Sequence, residues 1–219
     1  MRVNEQGRSM IEMLGVLAIV GVLSVGGIAG YSKAMNKFKT NKISDQVQMI
    51  STNIRTLFSS QRTYKGLNNG MALRAGLIPG EMYEAASAAS DYTSSYPITN
   101  AFGGGVSIKA VAQSTAGDEM AFAISFDQIP QTSCVSIATT DWGGDAGSGL
   151  AAMWIGEGAA NSAETNLDTT STLANVTSTL TASANLHIPG NQDHGLPFTI
   201  TDANTACAED LNGVVWKYF

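Results

Sequence analysis

The chain has 219 residues, 44% of them hydrophobic and only 14% charged, against about a quarter charged in ordinary globular chains, which excludes a disordered polyelectrolyte. Its formal charge of −6 argues against nucleic acid as a partner, since phosphate neutralisation needs clustered Lys and Arg. Two cysteines and two histidines are too few for a four-ligand zinc site, so no metal and no cofactor is expected.

The averages hide a division. Residues 1–65 hold nine Lys or Arg against three Asp or Glu, a charge of +6. Residues 66–219 hold three against fifteen, a charge of −12. Two parts with different surroundings are implied.

From Met13 to Ser32 the chain carries no charge. Twenty residues rise about 30 Å as a helix, the thickness of a hydrocarbon core. Three readings fit such a run: a plain membrane anchor, a secretory signal cut after Gly27-Ile28-Ala29, or a segment retained behind an earlier cut. Glu12 stands at its entry. A lone acidic residue costs about 2.5–3.5 kcal/mol at the bilayer centre, so Glu12 is read as functional.

The helical pattern continues past the run. Tyr31, Met35, Phe38, Ile43, Val47, Ile50, Ile54, Leu57 and Phe58 recur mostly every three or four residues, and no proline occurs before Pro79 to break the helix. One helix of about 74 Å is predicted from about Met10 to Phe58. Gly26-x-x-x-Gly30, with Gly15, Gly21 and Gly27, offers small surfaces for close helix packing. Glycine is also simply common in membrane helices, and both readings stand.

Gly7-Arg8-Ser9-Met10-Ile11-Glu12, followed at once by the apolar run, resembles the processing site of type IV prepilins and pseudopilins. In that family a peptidase cuts after the glycine and methylates the new amino terminus, and the fifth mature residue is glutamate. The resemblance therefore implies cleavage between Gly7 and Arg8, an N-methylated Arg8, and an assembly role for Glu12. Arg8 stands where the family usually has an apolar residue.

Later segments resemble PilS-type type IVb pilins. Ile129–Val135 and Ala203–Cys207, closing with Val214–Phe219, look like the two cysteine segments of that group, and Met71–Met82 looks like its short helix after the stem. The resemblance implies a leader at 1–7, a transmembrane and stem helix at 8–62, and a globular head at 63–219. It implies homo-oligomeric filaments of pilin subunits, with prepilin peptidase, pilus assembly machinery and inner-membrane lipid as further partners. The precursor would sit in the inner membrane and the product in an extracellular pilus.

The residues of the head give an α+β fold by themselves: one long helix on an antiparallel sheet, with short helices and long loops. Gly66–Gly70 reads as a linker. Val106–Ala112, Met120–Phe126, Pro197–Thr201 and Gly213–Phe219 read as strands. Asp202 is placed to cap a short helix carrying Cys207. For an exported head, a Cys134–Cys207 bridge is favoured over two reduced cysteines, and the absence of a CxxC argues against redox catalysis.

Other features carry less. Asp141–Gly149 has the carboxylates and glycines of a calcium loop but not its alternating ligands, so a surface loop is preferred. His187 and His194 flank Pro189-Gly190 without a matched ligand cluster and read as loop histidines. Asn175-Val176-Thr177 is a glycosylation sequon, uninformative on a bacterial export route. The Ser/Thr/Asn/Ala-rich stretch 161–185 reads as an outer fibre face or a solubilising insertion. No Gly-x-Ser-x-Gly or Walker sequence occurs, so no catalytic residue is assigned. A pilus subunit leads, ahead of a minor pilin or secretion pseudopilin and of a membrane-tethered enzyme or binding domain.

Overall fold

The computed structural model describes residues 10–113, 119–143, 148–157 and 185–219. Helix α1 runs Met10–Phe58, the span its apolar spacing predicts. Contacts divide the chain into two compact units, Met1–Phe38 and Lys39–Phe219.

In the second unit, α1 presents Ile43, Val47, Ile50, Ile54 and Phe58, all at most 4% exposed. Steps of three and four place these residues on one stripe of a 3.6-residue helix. They join one core with the inward residues of a five-stranded sheet. Thr40 Oγ1 donates to Ser133 Oγ at 2.9 Å, and Lys42 meets Glu81 at 3.0 Å.

The strands are β1 (Val106–Val111), β2 (Ala121–Pro130), β3 (Leu150–Glu157), β4 (Leu186–His187) and β5 (Leu211–Tyr218). Their order is β1-β2-β5-β3-β4, and every pairing is antiparallel. Side chains alternate between faces, as a period of two requires. Phe122, Ile124 and Phe126 of β2 and Val214, Trp216 and Tyr218 of β5 enter the main core. Ala121, Ala123 and Val215 face a second, smaller cluster with Val111, Ala152 and Leu186. The β2–β5 register shifts between Phe126 and Ile129, where Gln128 has a positive φ of 55°.

Among the described residues the unit also carries three short α-helices: α2 (Asn69–Arg74), α3 (Gln131–Ala138) and α4 (Ile200–Ala206). The expected linker over 66–70 is shorter than its composition suggests. Asn68 caps α2 by accepting from Met71 N, and the chain is already helical at Asn69. Asn69 is itself a fixed point, 6% exposed, donating to the Tyr96 and Val106 carbonyls and accepting from Ile108 N.

The strand expected over Pro197–Thr201 is not formed. Thr199 accepts from Asp202 N at 3.1 Å and donates to Asp202 Oδ2 at 2.9 Å, so the chain turns into α4 at Ile200. A capping pair with reciprocal bonds overrides the β propensity of Phe-Thr-Ile-Thr. The cap is Thr199 rather than Asp202, which lies in the first turn. Strands β3 and β4 and helix α3 are not expected from the sequence.

Candidate functional site

The described part of the first unit, residues 10–38, is helix alone. Ile11, Leu14, Leu17, Ile19, Leu23 and Ile28 are each 60–78% exposed. These positions go round the helix rather than along one face. A helix apolar on all sides requires an apolar medium or other helices around it. Its length and composition suffice to cross a membrane, and no residue of its most apolar 18-residue window is buried.

Glu12 lies in the first turn of this helix. The first-turn amides favour a carboxylate there, worth about 0.3–1 kcal/mol in water. That is small against the cost of the same group in hydrocarbon. Gly7 and Arg8, the expected cleavage and methylation positions, lie outside the described residues.

At Gly26 and Gly30 an added Cβ would meet nothing within 4 Å, and the same holds at Gly15, Gly21 and Gly27. Among the described residues no contact requires a small residue at any of the five.

Cys134 and Cys207 form a disulfide with their Cα atoms 5.9 Å apart. Cys134 sits on α3 and Cys207 is the C-cap of α4. Both are fully buried. The bond closes a sequence separation of 73 residues, worth up to ~4.4 kcal/mol by loop entropy. It ties the last helix, and β5 behind it, to the middle of the chain.

The histidines are not the isolated loop residues that their spacing suggests. His187 belongs to β4 and is fully buried. His187, His194 and Asp202 place three potential ligand atoms within 4.8 Å of one another. His187 Nε2 and His194 Nδ1 each lie 3.8 Å from Asp202 Oδ2. Burial pushes the His187 imidazole below its ordinary pKa, against the raising effects of the Gly195 carbonyl and Asp202. The cluster escaped the sequence reading because neither separation, seven and eight residues, is a ligand spacing on one helix or strand; the loop after β4 and the Thr199 cap bring the groups together.

Asp141 serves its own turn, accepting from Gly143 N at 2.9 Å. The centre of the Asp141–Gly149 loop, 144–147, the sequon at Asn175 and most of the Ser/Thr-rich stretch lie outside the described residues.

A family model described as PilS N terminal matches residues 37–188, more than half of the chain. The major structural subunits of bundle-forming pilus from Escherichia coli O127:H6 (strain E2348/69 / EPEC) and from Escherichia coli O111:H- are each 27% identical over 139 residues. These matches cover 64% of this chain and 66%, just under two thirds, of each relative's length. The crystal structure of TcpA, a type IV pilin from Vibrio cholerae El Tor biotype, shares the fold, with a TM-score of 0.52 and 18% identity over 83% of this chain and 99% of that one. A long amino-terminal helix on an antiparallel sheet, a disulfide near the carboxyl terminus and a family match over residues 37–188 together show that the chain belongs to the PilS family of pilins.

Proposed function

We propose that this chain is the structural subunit of a type IVb pilus, held first in the inner membrane and then assembled through its amino-terminal helix into an extracellular filament. The observation that carries this reading is the helix surface over residues 10–38, apolar all round and exposed. Lipid covers such a surface in the precursor, and neighbouring copies of the same helix cover it in a fibre. The change needs no refolding, because lipid tails and Leu or Ile side chains are equally apolar.

In this account prepilin peptidase cuts after Gly7, and Arg8 becomes the methylated amino terminus. That terminal cation on one subunit meets Glu12 of its neighbour as the subunit docks. A carboxylate in hydrocarbon without a partner is expensive, so a partner supplied only by assembly selects the correct axial register. Gly26 and Gly30 let neighbouring backbones approach closely. The disulfide-closed head is the part exposed to the medium, and it performs no catalysis.

The test is electron microscopy of fibres sheared from expressing cells, with mass spectrometry of the fibre subunit. Fibres built from a chain beginning at methylated Arg8 support the account. A mature chain beginning at Gly30 would identify an ordinary cleaved signal and remove the filament model.

A further inference from the structure

We propose that His187 Nε2, His194 Nδ1 and Asp202 Oδ2 form a binding site for one divalent zinc ion, which clasps the edge of the sheet to the last helix. The three groups converge from separate pieces of chain. His187 ends β4, the two-residue edge strand. His194 lies in the loop that follows, and Asp202 lies in the first turn of α4.

The donor set suits the metal. Two imidazole nitrogens and one carboxylate oxygen are ordinary ligands of zinc, with a fourth position left to water. Bonds of about 2.0–2.1 Å at the tetrahedral angle separate ligand atoms by about 3.3–3.4 Å. The two histidine-to-aspartate separations are 3.8 Å and all three atoms lie within 4.8 Å of one another, so closure asks for a few tenths of an ångström on the first two and at most about 1.4 Å between the two histidine nitrogens. His194 and Asp202 side chains are 29% and 20% exposed, which gives them room to move and gives the ion a way in.

The second observation is the state of the buried nitrogens. His187 is fully buried, yet among the described residues neither its Nε2 nor His194 Nδ1 has a hydrogen-bond partner. A buried polar atom left so is costly unless something fills the gap. His187 is also already oriented as a ligand. Its Nδ1 contacts the Gly195 carbonyl at 2.7 Å; a carbonyl only accepts, so Nδ1 carries the proton and Nε2 presents its lone pair toward Asp202. The ring stacks on Phe198, centroids 3.5 Å apart and 15° from parallel. Asp202 Oδ2 is held in turn by Thr199 Oγ1. Outer hydrogen bonds of this kind fix the tautomer and aim of metal-binding groups.

The bound ion would act as a second clasp beside the disulfide. Among the described residues strand β4 pairs with β3 at Met153 and Trp154, whereas α4 is pinned to α3 through Cys207. Zinc would join the weak edge to the pinned helix.

The experiment uses the full chain in detergent, purified without a polyhistidine tag and stripped of metal by a chelator. Zinc chloride is titrated by calorimetry, thermal unfolding is followed with and without zinc, and cobalt(II) is added as a spectroscopic probe. The expected result is one zinc per chain, a raised unfolding midpoint and the intense visible absorption of tetrahedral cobalt. His194→Gln and Asp202→Asn should each weaken binding at least about tenfold while the metal-free variants remain folded. His187→Gln risks the fold because the ring is buried, so the two partly exposed positions carry the test. Absence of saturable zinc binding in the parent chain, or binding unchanged in both variants, would overturn the proposal.

Discussion

The rings of Phe122 and Tyr218 stack with centroids 5.3 Å apart and planes 18° from parallel, directly across the β2–β5 register. Tyr64 extends the chain of rings from Phe122 to Phe58, the last residue of α1. Arg55, one turn earlier, lies over Tyr218 with its guanidinium carbon 5.4 Å from the ring centre. One aromatic line thus connects the end of the helix to the centre of the sheet.

Tyr218 gives this junction a pH dependence. Burial pushes its phenol from 10.0 up to about 12, against the lowering effects of Ser51 and Arg55. A raised folded pKa means stability complete below pH 10 and lost as pH rises toward 12. About two pH units correspond to a loss on the order of 2–3 kcal/mol. Denaturant unfolding of the parent chain and Tyr218→Phe, at mildly and strongly alkaline pH, should show the parent losing that much more than the variant. Equal losses would remove Tyr218 as the cause.

The disulfide should dominate resistance to unfolding. Cys134→Ala with Cys207→Ala should lower stability by up to ~4 kcal/mol, read from denaturation midpoints under non-reducing conditions. The larger effect should come through the unfolded chain, so the double variant should still show the native far-ultraviolet circular dichroism in dilute buffer.

Asn69 holds the start of α2 by three hydrogen bonds, two to β1 and one to the Tyr96 carbonyl. Asn69→Ala strands a buried amide and two carbonyls, at a cost of about 2–4 kcal/mol. Asn69→Asp should be no better, because a carboxylate cannot donate to the Tyr96 and Val106 carbonyls. Thermal unfolding of both variants checks this; a near-parental midpoint for Asn69→Asp would show that the donor bonds contribute little.

Gly26 and Gly30 test packing between subunits. Among the described residues nothing crowds either position, so leucine at both should leave the head folded and the monomer in the membrane. Fibres should fail to form, because the added side chains hold neighbouring helices apart. Normal fibre yield from Gly26→Leu/Gly30→Leu would remove close packing at this motif.

The elements differ in how openly the sequence declares them. Ile43, Val47, Ile50, Ile54 and Phe58 announce α1 by spacing alone. Strands β1, β2 and β5 are readable from apolar residues between turn signals. Strand β3 is not, because Leu-Ala-Ala-Met-Trp-Ile-Gly-Glu is apolar without a clear alternation. Its residues are buried on both faces, Met153 and Ile155 in one cluster and Ala152 in the other. Pairing with β5 and β4 decides its conformation, and local propensity does not report such pairing. The Thr199–Asp202 cap was readable in principle, three residues apart before a short helix, but the β-branched run around it masks the signal. The histidine cluster depends on tertiary closure throughout.

Glu12 is proposed to guide assembly by pairing with a neighbouring amino terminus. A local rival exists, since Arg8 and Glu12 are four residues apart in sequence, though such a pair on one helix is worth only about 0.2–0.5 kcal/mol in water. Fibre yield relative to membrane-held monomer, measured for Glu12→Ala and Arg8→Ala, separates the two. The account predicts that Glu12→Ala is exported and folded with its disulfide formed but almost absent from fibres, while Arg8→Ala, which keeps its terminal amine, assembles nearly as the parent does. Unchanged fibre yield in Glu12→Ala would contradict the account.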